Sequence, residues 1–445
     1  MRRMVAWACW CIAFGLTGCT AQPSPTTPPM KYRVGMLRVD QVGWRQMGQA
    51  DPEAVANAVR AGLNTFVLVY PAAPSAELAT NRNWFSDSSL IEPYGKAVQL
   101  IKQIGTRETG VAPQVWAWTR TSVSADTAAG EARSMTSSGA SGTAVCPIDS
   151  AFWSEQVLPK GLALVKLGFD AVLFETEVYD KDGVRLMRGD HCYCDQCLTR
   201  FLRGRNRADA LPAPPARLAW LDKNGLRADF EAWQEKTLLD YARTYRDVLA
   251  KAKPNIRLGY YIGPTLANNW YLRALSQGLA RPGSPLINMD QGTYSGQGMS
   301  YEGPPGRTTL WDWHRFQKGL FAQWNVEAEV IHGIWTDYAF ADFGPLDVER
   351  FCFINEVIGD GYWIYNQLRD PAFMLQPIKS ASTKAQSALR SPSGFTQTVT
   401  SMIGVREQEG YDTRHSQELL KRAQAAGEDP MAAIWAYQAD WLLRR

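Results

Sequence analysis

A clear excess of charge of either sign is missing from this chain: 47 Lys and Arg stand against 44 Asp and Glu over 445 residues, a formal net charge of +3. Setting aside residues 1–18, which hold Arg2 and Arg3 and no acid, leaves 45 basic against 44 acidic side chains, a net charge of about +1. A nucleic-acid binder driven by counterion release needs a basic excess, so that class is disfavoured. Gly and Pro, at 36 and 25 residues, are too few for a collagen-like or disordered chain. Beyond the first residues no apolar run approaches the roughly 18 that a membrane span needs. No GxGxxG follows the first strand-like run, which weakens a nucleotide-binding reading, and no internal repeat of about 20–50 residues is visible. What remains is an ordinary globular composition, 45 % hydrophobic and 20 % charged, long enough for a large core.

The amino terminus reads as an address. Met1-Arg2-Arg3 is a short basic region and Val5–Leu16 an apolar one too short to span a bilayer. Leu16-Thr17-Gly18-Cys19 follows and resembles a bacterial lipobox. That resemblance implies cleavage of residues 1–18, lipidation (palmitate) of Cys19, and export. With Thr20 and not Asp next to the lipid, an outer-membrane anchor facing the periplasm is expected. Residues 19–31 are Pro/Thr-rich and poor in apolar groups, which predicts a tether.

From Val34 onward, β-branched and aromatic runs alternate with segments of helical period. Eight such runs occur: 34–39, 64–71, 112–119, 170–177, 256–263, 286–294, 328–335 and 359–366. Eight strands with crossover helices predict a (β/α)8 TIM barrel over 32–390, with an insertion at 178–235 after the fourth strand and a helical extension over 391–445. In that extension a Ser/Thr/Gly stretch near 391–401 precedes helices at 413–426 and 430–444. A doubly wound open sheet is the alternative.

Chemistry in such a barrel sits at the C-terminal strand ends. The fourth run closes on Glu175-Thr176-Glu177, and strand alternation puts both acids on one face. Two carboxylates one pleat apart in a cleft do not both ionise freely, so one is held protonated and can act as general acid. Asp290 and Asp337, at the sixth and seventh strand ends, are the candidate second carboxylates. Trp118, Arg120, Tyr261, Tyr294, Trp335, Trp363 and Tyr365 end other strands and offer flat faces and polar edges for a sugar ring. For any single Trp a core role is the commoner one.

Cys146, Cys192, Cys194 and Cys197 form the sharpest cluster, three thiols in C-x-C-x2-C and one distant partner. They suit a closed tetrahedral structural zinc site. In an exported protein Cys192–Cys197 or Cys146–Cys194 disulfides are the alternative, although adjacent C-x-C pairs rarely fit two separate bridges. Cys352 is left over and is expected to be a buried small hydrophobe. The Arg200, Arg203, Arg205, Arg207 group reads as a solvated helix end rather than a phosphate site.

The segment around Glu177, with CYCDQCLTRF after it, resembles glycoside hydrolase family 42 β-galactosidases. The resemblance covers residues 140–235 and the barrel in outline. It implies zinc on the four cysteines and an acid/base role for Glu177. This chain has Thr176 where that family has Asn, and Trp335-Thr336-Asp337 where its nucleophilic Glu ends the seventh strand. Gly168 to Glu177 is also similar to the fourth-strand signature of family 18 chitinases, with Leu173 and Glu175 replacing two of its acids. Both resemblances make Glu177 the proton donor. The function expected is hydrolysis of a polysaccharide or oligosaccharide by a lipid-anchored barrel. The alternative is a barrel that binds carbohydrate without cleaving it.

Overall fold

In a computed structural model, residues 31–37, 52–69, 88–120, 130–176, 190–261, 269–290, 310–335, 344–365 and 371–444 are described; side chains at a few of these, Arg120, Trp335 and Tyr365 among them, are not. All eight sequence runs become parallel strands. They are β1 (Tyr32–Leu37), β2 (Thr65–Val69), β3 (Gln114–Arg120), β6 (Ala171–Glu175), β7 (Arg257–Tyr261), β8 (Leu286–Asp290), β9 (Ala328–Trp335) and β10 (Gly361–Tyr365). Their order, β1-β10-β9-β8-β7-β6-β3-β2, closes on itself. The chain is therefore a (β/α)8 barrel, as the run count predicts. Two further short strands went unread in the sequence: β4 (Arg133–Met135) and β5 (Ser141–Val145) pair antiparallel as a hairpin between β3 and β6. Alternating residues of such a three- to five-residue hairpin carry too weak a pattern to stand out from a loop.

Crossover helices clad the barrel. Named in order they are α1 (Pro52–Arg60), α2 (Ser88–Thr109), α3 (Leu158–Lys166), α4 (Asp195–Gly204), α5 (Arg217–Lys223), α6 (Arg227–Ala252), α7 (Trp270–Leu279), α8 (Leu310–Gln323), α9 (Pro345–Ile358) and α10 (Pro371–Arg390). Helix α6 starts inside the stretch expected to be insertion, so the long crossover helix of the fourth unit takes over at Arg227. Three more helices follow: α11 (Pro392–Gln408), α12 (Arg414–Ala426) and α13 (Pro430–Arg444). The 391–401 stretch is thus helical, contrary to its Ser/Thr/Gly composition. Pro392 occupies the first turn and the Ser391 side chain accepts from Gly394 N–H, so two good start signals outweigh mediocre propensity. Residues 32–445 form one compact unit. No helix among the described residues is long and apolar enough to cross a membrane.

The inner and outer faces follow from ring contacts. Trp118 lies 4.1 Å from Tyr261, and Tyr261 5.6 Å edge-on from Trp363, three rings from three strands meeting inside. Phe174, by contrast, meets Trp153 and Tyr245 of the surrounding helices. Below the rings, Arg257 bridges the Glu329 carboxylate at 2.7 Å and the Tyr32 hydroxyl at 2.8 Å, closing the floor. Glycine permits two close passes. A side chain at Gly361, whose φ is +142°, would collide with the Tyr32 backbone, and one at Gly333 would enter the Trp363 ring.

Candidate functional site

Glu175 pairs in register with Arg120 on one side and Tyr261 on the other. Register neighbours in a parallel sheet share a face, and Tyr261 points inward while Phe174 points out, so Glu175 points into the barrel. It is 4 % exposed and closes the C-terminal end of β6. Thr176 is tied down beside it, its hydroxyl donating to the Tyr261 carbonyl at 2.9 Å. Beside it at the same level is Tyr261, and one pleat lower is Trp118, whose buried indole N–H has no acceptor among the described residues. Leaving such a donor unpaired costs about 1–3 kcal/mol.

The other residues read as candidates divide three ways. Trp118, Tyr261 and Trp363 are brought together, but as covered rings: Trp363 is fully buried and donates to the Asp290 carbonyl at 3.0 Å, so its place is in the core. The backbones of Arg120, Trp335 and Tyr365 end β3, β9 and β10. Glu177, Tyr294, Asp337 and Cys19 lie outside the described residues.

Asp290 is displaced from its expected role. Its carboxylate is turned to the outer face, where it accepts from Trp313 Nε1 at 2.8 Å, Gln317 Nε2 at 2.8 Å and His332 Nδ1 at 2.9 Å. Trp313 and Gln317 belong to α8, so the acid is sealed between sheet and helix at 1 % exposure. His332 passes the chain on to His314 Nδ1 at 3.0 Å. Asp290 therefore does not face the mouth, which leaves Glu175 and Asp337 as the carboxylates read as partners of Glu177.

The four cysteines converge. Cys146 follows β5, Cys194 caps the N-terminus of α4, Cys197 sits in its first turn, and Cys192 approaches on the preceding stretch. Their sulfur atoms all lie within 4.8 Å of one another and all four are buried. The contacts are 3.3 Å (Cys146–Cys197), 3.4 Å (Cys194–Cys197) and 3.7 Å (Cys192–Cys146). None is a disulfide, whose S–S bond measures about 2.05 Å. A tetrahedron with Zn–S of about 2.3 Å has edges near 3.8 Å, so the donor set fits a single closed metal site. The electrostatics agree. Burial pushes the Cys146 and Cys197 thiols up, while Cys192, despite burial, is held low by the neighbouring thiols. Packed this closely, the four ionise together only around a cation. The scaffold is specific: Gln234 donates to the Cys192 carbonyl, Arg217 to the Tyr193 carbonyl at 2.7 Å, and Tyr193 N–H to the Met135 carbonyl at 2.9 Å.

Three of the four arginines at and just past the end of α4 have structural partners. Arg200 donates to the Ile148 carbonyl and the Tyr241 hydroxyl, while Arg205 pairs with Asp229 and Arg207 with Asp209. Cys352 is fully buried on α9.

No family model and no curated protein sequence matches the chain. Among solved structures it is similar to the catalytic domain of β-amylase from Paenibacillus polymyxa, with 12 % identity and a TM-score of 0.46 over 79 % of this chain and 95 % of that one. A cold-adapted β-galactosidase from Rahnella sp. R3 gives 10 % identity and 0.46 over 76 % of this chain and 51 % of that one. The glycoside hydrolase domain of a PelA variant from Pseudomonas aeruginosa gives 11 % and 0.35 over 77 % and 97 %.

Proposed function

We propose that this barrel acts on a polysaccharide or oligosaccharide at its C-terminal mouth as a glycoside hydrolase, with Glu177 as general acid/base and Glu175 beside it. The observation that supports this reading is the inward, buried Glu175 carboxylate, level with Tyr261 and one pleat above Trp118, whose indole N–H has no acceptor among the described residues. Glycoside hydrolysis needs one carboxyl protonated and one ionised across the scissile bond, and two acids in unequal surroundings are the arrangement that meets this need. Asp337, which follows the end of β9 in the sequence, is the partner this reading assigns.

The second reading, a barrel that binds sugar and leaves it intact, is favoured by one finding: Asp290 is sealed on the outer face and removed from the list of partner carboxylates. Incubating the purified protein with a glycan panel, alongside Glu177→Gln, separates the two. Hydrolysis by the parent and its loss in the variant support the first. Glycan binding with no hydrolysis by either protein moves the barrel to the second.

Two further parts belong to this proposal. Zinc is assigned to the four thiols as a structural ion, supported by their tetrahedral spacing. Cys19 is assigned a lipid that holds the barrel at the outer membrane, on the periplasmic side, supported by the Leu16-Thr17-Gly18-Cys19 sequence. Cell fractionation of a Cys19→Ser variant tests it: release into the soluble fraction is expected, and retention in the membrane overturns it.

A further inference from the structure

A cleft of about 440 Å³ lies among the connections that follow the middle strands, inside the range of ordinary ligand pockets of about 300–1,000 Å³. Ser137 reaches it from the β4–β5 hairpin, Asp190 and His191 from the chain leading to the cysteines, Glu231 and Glu235 from the first turns of α6, and Arg273 from α7. These segments leave the C-terminal ends of β3, β6 and β7. Those are the strands whose last residues are Arg120, Glu175 and Tyr261, so the cleft is built by the connections that follow the inward acid and its two register neighbours.

Two of its three carboxylates are paired with arginines and the third, Asp190, is hydrogen-bonded by neutral donors. Arg273 forms a two-pronged pair with Glu235, at 2.5 and 2.6 Å, and Arg227 pairs with Glu231 at 2.8 Å. Asp190 accepts from the Ser137 N–H and hydroxyl, each at 3.3 Å, and from the His191 N–H at 3.0 Å. The His191 ring stacks on Trp270, 4.7 Å away and tilted by 8°, and the Trp270 indole donates to the Asp190 carbonyl at 2.7 Å.

Among the described residues an anionic ligand finds no unpaired cation here, and a cationic one finds no carboxylate without a donor. Each paired group still keeps spare capacity, since a carboxylate has about four acceptor sites and a guanidinium five N–H donors. Interleaved donors and acceptors held rigidly by ion pairs suit a neutral ligand that both donates and accepts at every position, which describes sugar hydroxyls. We propose that this cleft is a secondary binding site for a neutral oligosaccharide segment, continuing the chain held at the mouth. The inference rests on the mouth being a carbohydrate site.

The test uses the full chain and titration calorimetry. Ala232 lines the cleft, is exposed and takes no part in the ion pairs, so Ala232→Trp fills the space without removing them. The probes are cellohexaose, laminarihexaose and β-1,4-galactohexaose with their disaccharides, against hexamers of galacturonate and glucosamine. A neutral hexasaccharide should bind, and Ala232→Trp should weaken it at least about tenfold while leaving the disaccharide and the melting temperature unchanged. A Glu235→Gln, Arg273→Gln double variant should reproduce the loss. Unaltered hexasaccharide affinity in both variants overturns the cleft and leaves the mouth standing. Tighter binding of a charged hexamer overturns the neutral class. No binding of any sugar by the parent protein overturns both sites.

Discussion

Trp363 donates its indole N–H to the carbonyl of Asp290 at 3.0 Å, reaching from β10 across β9 to β8. The ring can lie there because the intervening residue is Gly333, whose missing side chain leaves room for it. Gly333→Ala should therefore cost about 1–3 kcal/mol, the usual range for overpacking a filled core. Urea unfolding measures it. An unchanged midpoint would mean that the ring shifts freely and that the layer does not depend on this fit.

The thiol site predicts one metal per chain. Cys197→Ser should lower bound zinc from one equivalent to less than about a tenth, and chelation of the parent protein should lower its melting temperature, because a metal held only by the folded state stabilises it by mass action. Metal analysis of protein purified without added zinc is the check. A metal-free parent with four blocked thiols would replace the site by disulfides.

Asp170 sets part of the acid stability. Burial works to raise its pKa, but the ammonium groups of Lys102 and Lys253, at 2.8 and 2.9 Å, and the Val115 N–H hold it below the usual carboxylate range. Asp360 is likewise lowered against its burial, by Lys318 and the Val330 N–H. A group whose folded pKa lies below its unfolded value stabilises fully above the unfolded pKa, about 3.9, and loses that contribution as pH falls through the folded value. Asp170→Asn should cost about 1–3 kcal/mol at pH 6, with the deficit shrinking below about pH 4. A deficit equal at pH 6 and pH 3 would refute the linkage.

Glu349 pins the last helix to the barrel. Its carboxylate meets Lys384 at 3.0 Å, Arg444 at 2.9 Å and the Tyr437 hydroxyl at 2.9 Å, and Tyr437 also stacks on Phe353 at 4.0 Å. Removing one partner from a largely buried ionic group strands the others, so Glu349→Ala should cost about 3–5 kcal/mol. Hydrogen exchange should quicken first in α13. Uniform acceleration across the barrel strands would assign the loss elsewhere.

For the proposed chemistry, Glu177→Gln should lower turnover by about 10²–10⁴-fold with substrate affinity largely kept, as expected for loss of a general acid. Steady-state kinetics on whichever glycan is cleaved reads it out. Full activity in the variant would release Glu177 from the role.

Much of the architecture is written locally. Strand runs and crossover helices follow from hydrophobic period, which a chain carries wherever it is placed, and all eight barrel strands are legible in it. The C-x-C-x2-C spacing likewise announces a cysteine site. The short hairpin that brings Cys146 to it leaves almost no pattern, and at Ser391 a cap and a proline decide for helix against the residues that follow.

Side-chain direction at the strand ends is another matter. β6 and β8 are buried at all five of their residues, so no alternation of polar and apolar positions marks which acids face inward. Glu175 and Asp290 end their strands alike in sequence, yet one enters the barrel and the other faces α8. The sequence by itself determined the strand count, the cysteine pattern and the balance of charge, because these depend on residue order and composition. The phase of each strand, the bond from Trp363 to Asp290 and the ion pairs of the cleft were decided by the tertiary structure, since each depends on register between strands or helices that meet only when the barrel closes.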